Sequence, residues 1–182
     1  MNVDKNIADA ERILNYNFND EVICAEALQM AAPLIPLCIN GKMHSVNLNT
    51  RLAVQGDAGA TAVLCEQWYA GRDKFGIPNP PYYVSLPDLS QGNPQTPAAW
   101  NTTRQGALSN AGLAGLARSL GLRAMILTAP GHEGYFGDKM LATALEALLG
   151  AVYLDGGETA LKNAMNHIGL VHRVVTSSFP CP

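Results

Sequence analysis

Charge is scarce in this chain. Only 15% of its 182 residues are Asp, Glu, Lys or Arg, against 48% that are apolar. A surface so thinly charged leaves apolar area to be covered by a cleft or by another copy of the chain. Twelve Lys and Arg against fifteen Asp and Glu give a formal net charge of −3. The basic residues are scattered and form no arm, which argues against avid binding to a polyphosphate. Cysteine is limited to Cys24, Cys38, Cys65 and Cys181, with no metal-ligand spacing. Cys24 and Cys65 fall in helical patterns as small core residues, so a reducing, intracellular and cytoplasmic setting is expected. The first six residues lack the apolar centre of a secretory signal, and Asp4, Asp9 and Glu11 are out of place in a mitochondrial presequence. No apolar run of membrane-spanning length occurs, and no membrane partner is expected.

What the chain does have is a small-residue helical pattern, densest at residues 137–157. Leu141, Leu145, Leu148 and Val152 recur at helical spacing, with Ala142, Ala144, Ala147 and Ala151 between them. Asp138 is the expected N-cap, and Gly156-Gly157 the expected stop. So few polar residues remain that this helix must be covered on most sides. Glu146 is the exception. A carboxylate there is costly unless paired, hydrogen-bonded or bound to a cation, and it is the first functional candidate. The plainer alternative is an acid at the rim of a packed helix.

Elsewhere, residues 3–14 read as an amphipathic helix through Ile7, Ala10, Ile13 and Leu14. Asn19 is the expected cap of a second helix ending before Pro33. Residues 33–48 form an apolar connection whose Asn40-Gly41 turn suits a small hairpin. From Arg51 to about Ala70 one or two helices are expected, with Asp57 at a start or kink after Gly56. Six of the eleven prolines fall between Phe75 and Trp100, so residues 75–103 are expected to be an ordered loop. Helix resumes from Thr103, with Ser109 as a cap and Gly121 as the end. A last helix at residues 158–168 precedes an irregular tail, 171–182. One domain spanning residues 1–182 is expected.

Two stretches together resemble the ribonuclease III domain. Asn49-Thr-Arg-Leu-Ala-Val-Gln-Gly-Asp57 resembles that family's Asn-Glu-Arg-Leu-Glu-Phe-Leu-Gly-Asp run. The helix with Thr143 and Glu146-Ala-Leu-Leu-Gly-Ala resembles its Asp-x-x-Glu-Ala-hydrophobic-hydrophobic-Gly-Ala. The resemblance implies an all-α bundle that forms a homodimer through the helix near Arg51, with Val54 at the seam. It also implies a divalent-metal site, with Mg2+ as cofactor and double-stranded RNA as substrate. Asp57 and Glu146 stand where two of four metal-binding acids belong. Ala53 and Thr143 stand where the other two belong, and Thr50 replaces a nearby glutamate. Ala111-Gly112 replaces a polar pair, and Gln29-Met30 a Thr-His pair. No double-stranded-RNA-binding domain of the kind usual in bacterial members is expected within these residues.

A two-metal phosphodiesterase needs several carboxylates to offset the repulsion between its cations. With Asp57 and Glu146 alone, Mg2+ binding is expected to be weak or absent. Three readings follow. One is a weak or one-metal endoribonuclease acting on double-stranded RNA through Asp57 and Glu146. The second is a non-nucleolytic scaffold. The third is a cleft turned to a small-molecule ligand, with Asp57, Glu146 and Thr143 lining it. His132 and Tyr135, in the loop before the central helix, are candidates to join that site. Their plainer readings are a solvated histidine and a core-anchoring tyrosine.

Overall fold

The computed structural model describes residues 2–71, 96–129 and 136–171. Helix α1, Val3–Leu14, starts where Asn2 accepts a hydrogen bond from the Lys5 amide, and ends at Asn15 in a left-handed conformation. Its buried stripe is Val3, Ile7, Ala10, Ile13 and Leu14, as the periodicity predicts. Helix α2, Glu21–Leu28, is capped by Asp20, whose carboxylate accepts from the Val22 amide. The expected cap, Asn19, is drawn away to Asp155 instead.

Asp155 is the clamp between α1, α2 and the central helix. It accepts from the Tyr16 hydroxyl at 2.6 Å, the Asn19 amide at 2.8 Å and the Asp20 amide at 3.0 Å. Burial works against its charge, but these donors hold its carboxyl below the usual range. Burial, and then the same contact with Asp155, push the Tyr16 hydroxyl up to about 12.

After α2 the chain turns extended. Gln29 makes a parallel bridge to Leu127, with the Met30 amide donating to the Leu127 carbonyl at 2.9 Å. Strands β1, Ile35–Ile39, and β2, Lys42–Val46, form the antiparallel hairpin that the Asn-Gly turn suggested. Leu37, Ile39 and Val46 face the core. Asn49 then donates its side-chain amide to the Ala27 carbonyl, anchoring the start of α3, Thr50–Gly71. This is one continuous helix. Asp57 lies within its third turn, neither at a start nor at a kink as expected, because Gly56 stays helical.

Helix α4, Pro97–Leu108, begins inside the stretch expected to be loop. Its first turn explains why: Thr96 accepts from the Ala99 amide, and Pro97 sits at a first-turn position where no amide hydrogen is needed. Trp100 on α4 lies 5.7 Å from Trp68 on α3, ring to ring. Residues 72–95, most of the proline-rich stretch, lie outside the described residues, as does the tail from residue 172. Ser109 caps α5, Asn110–Ser119, as expected, by accepting from the Gly112 amide. A single 3-10 turn, Leu122–Ala124, follows.

The central helix α6 runs from Asp138 to Ile168. Gly137, not Asp138, is its N-cap, without a side-chain cap bond; Asp138 pairs with Arg118 of α5 instead. Gly157, at φ 76°, breaks the helix into two pieces where the sequence placed the stop. By length and composition alone α6 is apolar enough to cross a membrane. Its apolar face is used inside the protein: Leu141, Leu145, Leu148, Leu149 and Val152 are all buried. Helix α3 packs along it at very short range. A Cβ on Gly56 would overlap the Glu146 carbonyl, and one on Gly150 would overlap the Leu52 carbonyl. The two backbones therefore touch where α3 crosses α6.

Candidate metal site between α3 and α6

The glycine crossing sets the site. Gly56 rests on the backbone of Glu146, so Asp57, the next residue, lies beside the Glu146 side chain. Residues three and four apart share a helix face, which brings Ala53 and Asp57 together on α3, and Thr143 and Glu146 on α6. These four, with Thr50 and Val54, line one open cavity of about 320 Å3. Asp57 and Val54 are exposed at its mouth, while Thr143 and Glu146 are half-buried at its wall. Ala53 is only 6% exposed, its methyl packed into that wall.

Burial raises the Glu146 carboxyl from 4.5 to about 7, and the nearby Asp57 charge adds to the rise. Two carboxylates thus face one another without a described cationic side chain lining the same cavity. Among the described residues, no group of three or more His, Cys, Asp or Glu is placed to hold a metal ion. The donors are two carboxylates and the hydroxyls of Thr50 and Thr143. That set suits one hard cation completed by water, since magnesium is often held by one or two carboxylates. It does not suit two adjacent cations, which need more anionic oxygen to offset their repulsion.

The sequence reading thus finds Asp57, Glu146 and Thr143 together, with Ala53 and Thr50 beside them. Ala111 and Gly112, which stand in place of the family's polar pair, do not line this cavity. They open α5, where Gly112 packs on the Gly106 carbonyl of α4. His132 and Tyr135 lie outside the described residues. No sequence pattern points to the second cavity, on the other flank of α3, lined by Ile23, Glu26, Arg51, Leu52, Gln55 and Leu154. Its residues come from three helices and show no common spacing.

Comparison with known proteins places this geometry. Ribonuclease 3 from Caldanaerobacter subterraneus is 30% identical over 158 residues, covering 85% of this chain and 58% of the relative. The chain spans about three fifths of the length of the curated relatives it matches. The crystal structure of the nuclease domain of ribonuclease III from Campylobacter jejuni superposes with a TM-score of 0.61 at 25% identity, over 90% of this chain and 94% of that one. A second structure of that domain is described by structural flexibility in a region involved in dimer formation. It gives a TM-score of 0.64 at 23% identity, over 89% and 94% of the two chains. The description "Ribonuclease III domain" matches residues 50–157, from the first turn of α3 to the Gly157 break, and the chain belongs to that family.

Proposed function

We propose that this chain is a ribonuclease III-fold domain with a degenerate nuclease site, which assembles as a homodimer and does not carry out two-metal cleavage of RNA. The observation behind this reading is the wall of the α3–α6 cavity. Ala53 presents a packed methyl and Thr143 a neutral hydroxyl beside only two carboxylates, Asp57 and Glu146. When bound, Mg2+ supplies a Lewis acid and an activated water. Asp57 and Glu146 would hold it, with Thr50 and Thr143 as neutral neighbours. In the protomer alone, burial and then the Asp57 charge raise the Glu146 carboxyl to about 7, so it titrates near neutral pH. It can donate or accept a proton at its carboxyl, but it cannot spread charge over two cations.

The free thiols Cys24, Cys38 and Cys65 suit a reducing, cytoplasmic setting. Val54, 72% exposed on α3, supports the dimer seam. A small-molecule role has only the cavity volume in its favour. The open mouth at Val54 and Asp57 suits a partner surface better than an enclosed ligand.

The second reading is an Mg2+-dependent endoribonuclease acting through Asp57 and Glu146. It is favoured by the meeting of these two acids in one cavity and by the ribonuclease 3 names of the relatives. Double-stranded RNA incubated with the wild type in millimolar Mg2+ separates the two, with Glu146→Ala as control. Little or no cleavage is expected. Ala53→Glu with Thr143→Asp should tighten Mg2+ binding in titration calorimetry, since it adds two anionic donors to one cavity. Brisk wild-type cleavage that Glu146→Ala abolishes would establish the endoribonuclease instead.

A further inference from the structure

Where α2 ends, one side chain is buried with half of its amide unused. Gln29, the C-cap of α2, is 0% exposed. Its Oε1 accepts from the Ala31 amide at 2.9 Å. That bond fixes which way the side-chain amide points, since a flipped amide would set N–H against N–H. Its Nε2 has no hydrogen-bond partner. Among the described residues, no other buried side-chain nitrogen or oxygen is left so. A buried donor without an acceptor is costly, and folded proteins rarely leave one.

Gln29 sits at a junction of three backbone segments. The Asn49 amide donates to the Gln29 carbonyl at 3.1 Å, and Asn49 Nδ2 to the Ala27 carbonyl at 3.1 Å. The Leu127 amide donates to the Leu28 carbonyl, and the Met30 amide to the Leu127 carbonyl, each at 2.9 Å. Every one of these carbonyls has a second lone pair to offer. Whatever meets Nε2 must accept a hydrogen bond, which rules out a metal cation. These bonds involve no charged side chain, so an anion would be desolvated without a counter-charge. Full burial rules out anything large, while Ala27 and Ala31, two residues before and two after, are small. We infer that Gln29 Nε2 marks an internal water site at this junction. The water accepts from Nε2 and donates to the free lone pairs of the junction carbonyls, making about three bonds as buried waters do. It ties the end of α2 to the start of α3, whose first turns carry Thr50 and Ala53 to the cavity. The inference stands whether or not the domain cleaves RNA.

Nuclear magnetic resonance on the full wild-type chain tests it. The two Gln29 side-chain amide protons should show cross peaks to the water resonance. These should have opposite signs in laboratory-frame and rotating-frame experiments, the mark of a water that tumbles with the protein. Gln29→Glu keeps an acceptor for the Ala31 amide and removes the amide protons, so the pair of signals it deletes is that of Gln29. Should that variant not fold, through-bond correlation along the Gln29 side chain identifies the pair in the wild type. A crystal structure of the full chain should then show one water about 2.7–3.2 Å from Nε2 and equally close to at least one junction carbonyl. Resolved amide protons without such cross peaks overturn the inference. So does a crystal structure in which Nε2 meets a protein oxygen, an ion or only carbon.

Discussion

At the residue scale, Glu146 is the carboxyl group most out of balance. Its carboxyl is raised from 4.5 to about 7, by burial first and by Asp57 second. Between those values the folded protomer keeps a proton that the unfolded chain has released. The unfolded state binds fewer protons there, so stability falls as pH rises through about 4.5 to 7 and stays low above. Glu146→Gln should flatten that slope and stabilise the protomer at pH 8 by about 1–2 kcal/mol, allowing for solvent screening at a half-exposed site. Urea midpoints across this pH range, on protein dilute enough to exclude a partner copy, measure it; parallel profiles for the two proteins would refute it. Asp155 is the contrasting acid, because its partners are already present. Asp155→Ala strips the acceptor from the Tyr16 hydroxyl and from the Asn19 and Asp20 amides. A loss of about 2–3 kcal/mol is expected, read by thermal unfolding.

At the scale of elements, the α3–α6 crossing makes glycine substitutions split by sign. Gly56→Ala drives a Cβ into the Glu146 carbonyl, where backbone has no room to yield. It should cost about 3 kcal/mol or more. Gly115→Ala, in the exposed interior of α5 with nothing near its added carbon, should instead stabilise by about 0.5–1 kcal/mol. Chemical denaturation of the two variants side by side checks both signs. The same contrast explains what sequence reading caught and missed. Elements set by local chemistry were legible: α1 from its stripe, α5 from the Ser109 cap, the hairpin from Asn40-Gly41, the α6 break from Gly157. Asn19 has the chemistry of a cap, but Asp155, over a hundred residues away, draws its amide elsewhere. Pro97 reads as loop along with the prolines before it, although a proline in a first turn promotes a helix. In the site, Asp57, Glu146 and Thr143 were found through motif spacing.

At the scale of the whole molecule, the exposed Val54 and the low overall charge point to a surface meant to be covered. Val54→Asp should dissociate the proposed dimer, since a charge would enter a desolvated contact beside two existing carboxylates. A shift of the sedimenting species to monomer, with helicity unchanged, is the expected result; a dimer unaffected by Val54→Asp would move the seam away from this face. The crossing of α3 and α6 also bears on how such a domain can change its trade. Backbone rests on backbone at Gly56 and Gly150, so the join is secured by side chains that are not there. The side chains of Asp57, Thr143 and Glu146 line the cavity beside it, with the Ala53 methyl packed in its wall. Acids there can be exchanged for a methyl or a hydroxyl with the scaffold left intact. A nuclease architecture of this kind can therefore outlive its chemistry.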